Sequence, residues 1–262
     1  MSYRFGKYEK AGYIKEEKDM LRHANSLVGY DLKTSSSESG KVVAVFFDED
    51  SWKLRYLVVE GGKWLSYRNV LLSFEALESI DDDNENIFVS VDGKSVIESP
   101  DLKTELPISR GAELLLAKYW NWTPYWTKEL LPPYINRNIS AEAGRESKEA
   151  TEKRAQKESR LRSVEEVTGY SVHARNGGSG HVASLVYNES DHAIRYILVD
   201  TRKWFGGREV LVPIEKIEKV SWSSNEFVLE PPAEQIKSAP EYESLAAVSN
   251  EFEQRIREHF GV

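Results

Sequence analysis

Cysteine is missing altogether from these 262 residues, and methionine occurs only twice. The first absence excludes a disulfide framework, a thiolate nucleophile and a cysteine-type zinc site. It also suits a cytoplasmic protein. No run of about 18 apolar residues occurs, so no segment is expected to span a membrane as a helix. The opening residues 1–20 mix aromatic side chains with charges and lack the apolar stretch of a signal peptide, which reads as a lead-in to the first domain. An excess of basic residues is lacking too: 35 Lys and Arg against 43 Asp and Glu leave a net charge of −8. That balance argues against general affinity for nucleic acid or anionic membrane, because both ask for a basic face.

What is present is a block that occurs twice. Residues 42–80 read VVAVFFDEDSWKLRYLVVEGGKWLSYRNVLLSFEALESI, and residues 182–220 read VASLVYNESDHAIRYILVDTRKWFGGREVLVPIEKIEKV, without a gap and 140 positions apart. A fixed internal period signals repeated structural units. Held outward, the offset matches Leu21-Arg22 with Leu161-Arg162, Gly29-Tyr30 with Gly169-Tyr170, and Tyr119-Trp120 with His259-Phe260. Two domains follow, residues 21–122 and 161–262, joined by an unmatched linker over 123–160. Each is large enough to bury a core of its own.

Within each repeat the pattern is that of short strands. Leu27 to Leu32 is a first strand candidate, and Val42 to Phe47 and Leu54 to Val59 are apolar on both faces, joined by a hairpin loop at Asp48 to Ser51. Strands without alternation need cover on both sides, which suggests a small barrel or sandwich. The period then changes: Ala112, Leu115, Leu116, Tyr119 and Trp120 fall on one side of a helix expected over Ser109 to Asn121. In the second copy Val248, Phe252, Ile256 and Phe260 do the same, with Ser249 as N-cap and Gly261 as the stop.

These residues resemble the PRC-barrel family. The resemblance is carried by Gly169-Tyr170, Gly180-His181-Val182, Arg195 to Asp200, Trp204-Phe205-Gly206-Gly207, Leu211-Val212-Pro213 and Pro240-Glu241. The first copy departs from it with Ser66-Tyr67 for the paired glycines and Ser73 for the proline, so its turn is expected to have another geometry. The resemblance implies two tandem small β-barrels; with the amphipathic C-terminal helix that ends each repeat, they are expected to pack about a pseudo-two-fold. It also implies a role in attachment and regulation, since relatives form the cytoplasmic part of the photosynthetic reaction centre H subunit and part of a ribosome maturation factor. The first role needs a membrane anchor, and the second a different RNA-associated partner domain.

Catalytic signatures are sparse. His23, His173, His181, His192 and His259 offer no i, i+4 zinc pair and read as surface or turn residues. The acid runs Asp48 to Asp50 and Asp81 to Asp83 lack the calcium-loop pattern and read as solvated turns. Gly177 to Gly180 leads into a strand, whereas phosphate cradles lead into a helix. No enzyme activity, metal or cofactor is expected. The residues singled out for interaction are Arg55, Tyr56, Trp64 and their counterparts Arg195, Tyr196 and Trp204, together with Trp122, Tyr125 and Trp126 of the linker. The first six serve equally in a barrel wall, where Arg stacks on aromatic rings, or at a contact surface. The Trp-rich stretch, with Pro124 and then Pro132-Pro133, favours an extended, docked segment that either pins the linker to the first domain or receives a partner's aliphatic anchor. Residues 141–160 are charged and nearly free of apolar side chains. The expected function is a protein-interaction or regulatory module for an unidentified protein partner. Binding of a small molecule or ion in a cleft between the copies comes second, and RNA or ribosome association third. The duplication either replaces a homodimer, leaving a monomer, or the chain dimerises again.

Overall fold

A computed structural model describes residues 20–61, 65, 68–100, 108–126, 160–201 and 208–262. The first repeat forms β1 (Leu21–His23), β2 (Asp31–Lys33), β3 (Ser39–Asp48), β4 (Lys53–Glu60), β5 (Asn69–Ser73), β6 (Leu77–Asp81), β7 (Asn86–Val89), α1 (Gly93–Glu98) and α2 (Arg110–Trp120). The second forms β8 (Leu161–Ser163), α3 (Val164–Val167), β9 (Ser171–Ala174), β10 (Ser179–Asn188), β11 (Ile194–Asp200), β12 (Glu209–Pro213), β13 (Ile217–Ser221), β14 (Glu226–Leu229), α4 (Ala233–Ser238) and α5 (Asn250–Phe260). The expected strand at Leu27 to Leu32 is shorter and starts later, because a 3-10 turn over Ala24–Leu27 takes its first residue.

The strands make two seven-stranded sheets with the same order, β5-β4-β3-β2-β7-β6 and β12-β11-β10-β9-β14-β13. Within each path only β2 with β7, and β9 with β14, run parallel. Among the described residues β5 and β6 are not hydrogen-bonded neighbours, so each path is open where a closed barrel was expected. A 3-10 turn at Phe74–Ala76 joins these end strands. The glycines of the repeat have local causes. Gly29 and Gly169 sit at φ of +94° and +95°, and a Cβ on Gly180 would come within 2.5 Å of the Asp200 carbonyl oxygen.

The seventh strand of each sheet comes from the other repeat. β1 pairs antiparallel with β10, Leu21 opposite Asn188 and His23 opposite Val186. β8 pairs antiparallel with β3, Leu161 opposite Asp48 and Ser163 opposite Phe46. Every partner in one set lies 140 positions from its counterpart in the other. The exchange continues at the hairpins, where the Leu54 amide donates to the His192 carbonyl at 2.9 Å and the Ile194 amide to that of Trp52 at 2.8 Å. Trp52 and His192, the two acceptors, share a left-handed φ near +55° and +59°.

One hydrophobic core therefore runs through both repeats, from Leu57 and Leu72 to Leu185 and Val212. Trp52 stacks on Phe47 at 5.4 Å between centroids and meets Phe227 of the second repeat at 6.2 Å. Phe74 meets Tyr187 edge-on at 6.3 Å. Such aromatic pairs add to the stabilisation from burial alone.

The helices divide. In α5 the expected residues face the sheet: Ile256 and Phe260 are buried, Phe252 is half-buried, Ser249 caps the Phe252 amide, and Gly261 stops the helix at φ +69°. In α2 the expected face is corrected, since Leu115 is 59% and Tyr119 37% exposed. The helix instead turns Arg110, Ala112, Glu113, Leu116 and Ala117 inward. Burying Arg110 and Glu113 together on this face, against Asp48, displaces Leu115 to the outside. Tyr119 leans back to donate its hydroxyl to the Ser95 carbonyl at 2.7 Å.

Candidate functional site

The described residues concentrate their buried charge where α2 crosses β4. Asp48 ends β3, and its carboxylate accepts from the amide and hydroxyl of Ser51 at 2.9 and 2.7 Å, which tightens the hairpin. Arg110, in the first turn of α2, reaches Asp48 at 3.4 Å and Glu113 at 3.2 Å. All three side chains are at least nine-tenths buried. One guanidinium thus faces two carboxylates away from water. Desolvation pushes the Glu113 carboxyl up to about 7, against the opposing pull of Arg110. Its Oε2 is buried without a hydrogen-bond partner among the described residues. Tyr56, also buried, has its hydroxyl raised well above the ordinary range by burial first and then by the Glu113 charge.

The chain beyond α2 closes over this cluster. Asn121 ends the helix in the left-handed conformation, and the Trp122 amide caps the Ala117 carbonyl at 2.8 Å. Trp122 stacks on Trp120 at 5.2 Å. Tyr125 then lies beneath the Arg55 guanidinium, 3.8 Å from ring centre to carbon. Its hydroxyl accepts from Arg110 at 2.6 Å and donates to Asp48 at 3.2 Å. Arg110 also covers the Trp126 ring at 4.2 Å. The segment docks as expected but is not extended throughout, since Tyr125 and Trp126 already turn helical. Among the described residues Trp122, Tyr125 and Trp126 lie against side chains of the first repeat.

The second repeat repeats the strand and helix but, among the described residues, not the cover. Tyr196 is buried and donates to Glu253 at 3.0 Å, as Tyr56 lies against Glu113. Arg195 is exposed and pairs with Asp191 at 2.6 Å. Asn188 and Asn250 stand where Asp48 and Arg110 stand in the first copy. Asn188, Arg195, Tyr196, Asn250, Glu253 and Arg257 line an open furrow of about 450 Å³.

A smaller cleft of about 140 Å³ lies at the junction of the repeats, between Arg55, Ser73 and Tyr125 of the first and Asp191 and His192 of the second. Burial lowers the His192 imidazole below its ordinary value. Two further arginines secure the exchanged strands. Arg22 of β1 is held by Asp82 and Glu189, whereas Arg162 of β8 pairs with Glu49 at 2.6 Å and lies over the Trp222 ring at 4.6 Å. The solvated-turn reading is corrected for Asp48, which is 1% exposed, while Glu49 holds Arg162 of the second repeat and Asp82, at an exposed turn, holds Arg22 of its own repeat. His23 is corrected as well, being half-buried between Ser184 at 2.9 Å and Tyr242 at 2.8 Å, with burial lowering its pKa.

Of the residues singled out from sequence, Arg55, Tyr56 and Tyr125 meet at one cluster, and Trp126 joins them through Arg110. Arg195 and Tyr196 line the second furrow. Trp64 and Trp204 lie outside the described residues, as do the turns that hold them and linker residues 127–159. Asp48, Arg110 and Glu113 were missed. A signal for Glu113 existed: it recurs as Glu253 at the same offset, inside an apolar helical face. No helix among the described residues is long and apolar enough to cross a membrane. A family model, the PRC-barrel domain, matches the chain twice, over residues 21–96 and 162–236. No curated protein matches it.

Proposed function

Because the chain belongs to the PRC-barrel domain family in both of its repeats, we propose that it is a non-catalytic protein-interaction module that holds a protein partner against the outer face of its sheets. The two repeats are related by an approximate two-fold, and the chain works in the cytoplasm. One observation supports this reading above others. The first repeat already holds a peptide: its own Trp122 to Trp126 segment docks across β4 and α2 through ring stacking and buried hydrogen bonds. Aromatic anchors set in arginine-bearing pockets are the usual energetic centres of protein interfaces. The test is a cross-linking pull-down of the full chain from its own host, with and without RNase. One protein recovered in near-stoichiometric, RNase-insensitive yield is the expected result, and an empty pull-down overturns the reading.

A second reading is favoured by the junction cleft, which draws Asp191 and His192 from one repeat and Arg55 and Tyr125 from the other. Small-molecule sites often form at such boundaries. A thermal-shift screen of metabolites and divalent ions would show stabilisation lost on His192→Ala if this cleft binds a ligand. A flat screen sinks that reading.

A further inference from the structure

The strand-and-helix site recurs in both repeats, and among the described residues only the first copy is covered. Resting on the interaction-module reading, we infer that the furrow between β11 and α5 binds, from a protein partner, a short proline-aromatic segment with the chemistry of Trp122-Thr123-Pro124-Tyr125-Trp126.

The correspondence holds at three polar positions, while Arg257 stands where the first copy has Ala117. Arg55 and Arg195, Tyr56 and Tyr196, and Glu113 and Glu253 are identical pairs 140 positions apart. The helix seats on the sheet through matching apolar sets: Ile108, Ala112 and Leu116 in one copy, Val248, Phe252 and Ile256 in the other. The furrow is therefore built by the same strand and the same helical face. In the first copy Arg55 has a tyrosine ring beneath it at 3.8 Å. In the second, no described residue stacks on Arg195, whose side chain is 44% exposed and fixed at its tip by Asp191. An exposed guanidinium held at one nitrogen in this way is a platform for an aromatic ring.

The substitutions set the strength of the contact. Arg110 and Asp48, both buried, grip the Tyr125 hydroxyl as a charge-assisted pair. Asn250 and Asn188 replace both charges with amides; the Asn188 Oδ1 already accepts from the Ser190 amide at 2.8 Å and hydroxyl at 2.6 Å, which leaves its Nδ2 to donate. A tyrosine hydroxyl keeps two partners there, but neutral ones, so the second furrow suits a segment that arrives and leaves. With Asn250 exposed, no buried charge is left unpaired while the furrow is empty.

The test uses the full chain and a fluorescein-labelled peptide of residues 121–127, followed by anisotropy. Saturable binding of one peptide per chain is expected. It weakens about tenfold with the peptide's tyrosine changed to alanine and equally with Arg195→Ala, an exposed position whose change leaves the melting temperature in place. In a chain carrying Tyr125→Ala and Trp126→Ala the first furrow is vacated, and two peptides bind per chain. Absence of saturable binding, or binding indifferent to Arg195→Ala, overturns the inference. Partner capture separates it from the broader reading: a partner still recovered by the Arg195→Ala chain means that the chain binds protein by another surface and that the furrow is not the site.

Discussion

Glu113 is the residue on which the first site turns. Its carboxyl is pushed up to about 7 by burial, from an ordinary value of 4.5. The folded state therefore binds this proton more tightly than the unfolded chain. The stability it contributes is fully present below about 4.5 and is lost as pH rises through about 7. The ceiling of the effect is about 3 kcal/mol. Glu113→Gln should remove it, so the variant gains on the parent as pH rises from 5 to 8. Urea unfolding of both chains across that range checks the difference, and parallel profiles would sink the assignment. The difference matters because His23 and His192, lowered by burial, act in the opposite sense and lose their contribution as pH falls. A second test at this scale is Tyr125→Phe, which keeps the ring under Arg55 but removes the hydroxyl between Arg110 and Asp48. It should cost about 1–3 kcal/mol, the loss expected when buried charged groups lose a hydrogen-bond partner.

At the scale of elements, the two helices show how the same backbone takes different cores. In α5 the buried face is apolar, and Ser249 as N-cap accepts from the Phe252 amide at 3.2 Å. Ser249→Ala should lower stability by about 1 kcal/mol, whereas Ser249→Asp retains the cap. Thermal unfolding of the pair measures it; equal losses in both would mean that the cap contributes nothing. In α2 a charged pair occupies the centre of the buried face, and the following segment supplies the cover that an apolar face does not need. The exchanged strands β1 and β8 are only three residues each. Strands that short hold their place through Arg22 and Arg162, whose partners stand on the other repeat or on the sheet they join.

At the scale of the molecule, the exchange makes the repeats interdependent. A first repeat produced alone over residues 20–126 presents β1 with nowhere to pair and a β3 edge without β8. Because β3 is the counterpart of β10, two such halves can satisfy one another by the pairing that the intact chain makes internally. The half is expected to form a homodimer and the full chain a monomer, as read by size-exclusion chromatography with light scattering. A monomeric, folded half would show that the exchange is dispensable. Leaving an exposed strand edge and the apolar surface of Phe47 and Trp52 unpaired is costly, which is the physical basis of the expectation.

Much of the fold was legible because repetition and periodicity are local properties. The 140-residue offset, the strands apolar on both faces, the hairpin at Asp48 to Ser51 and the capped helix at Ser249 to Gly261 follow from neighbouring residues and their spacing. The arginine-tyrosine pairs could also be picked out, being large, polar-tipped and present twice. Which strand completes which sheet was not legible: Leu21-Arg22 and Leu161-Arg162 read the same whether they pair at home or across, and only the packed molecule chooses. The buried cluster was hidden for a similar reason. Asp48 looks like a turn acid and Glu113 like a solvent-facing helix residue until Arg110 and Tyr125 meet them from 62 and 77 positions away from Asp48. Two copies of one β-rich unit, and the side chains that could serve a contact, can be read from the residues and their spacing alone. Only the packed molecule shows that the copies interlock through exchanged strands, and that among the described residues one furrow is covered and its twin is not, because burial and long-range pairing are settled only when distant segments share one core.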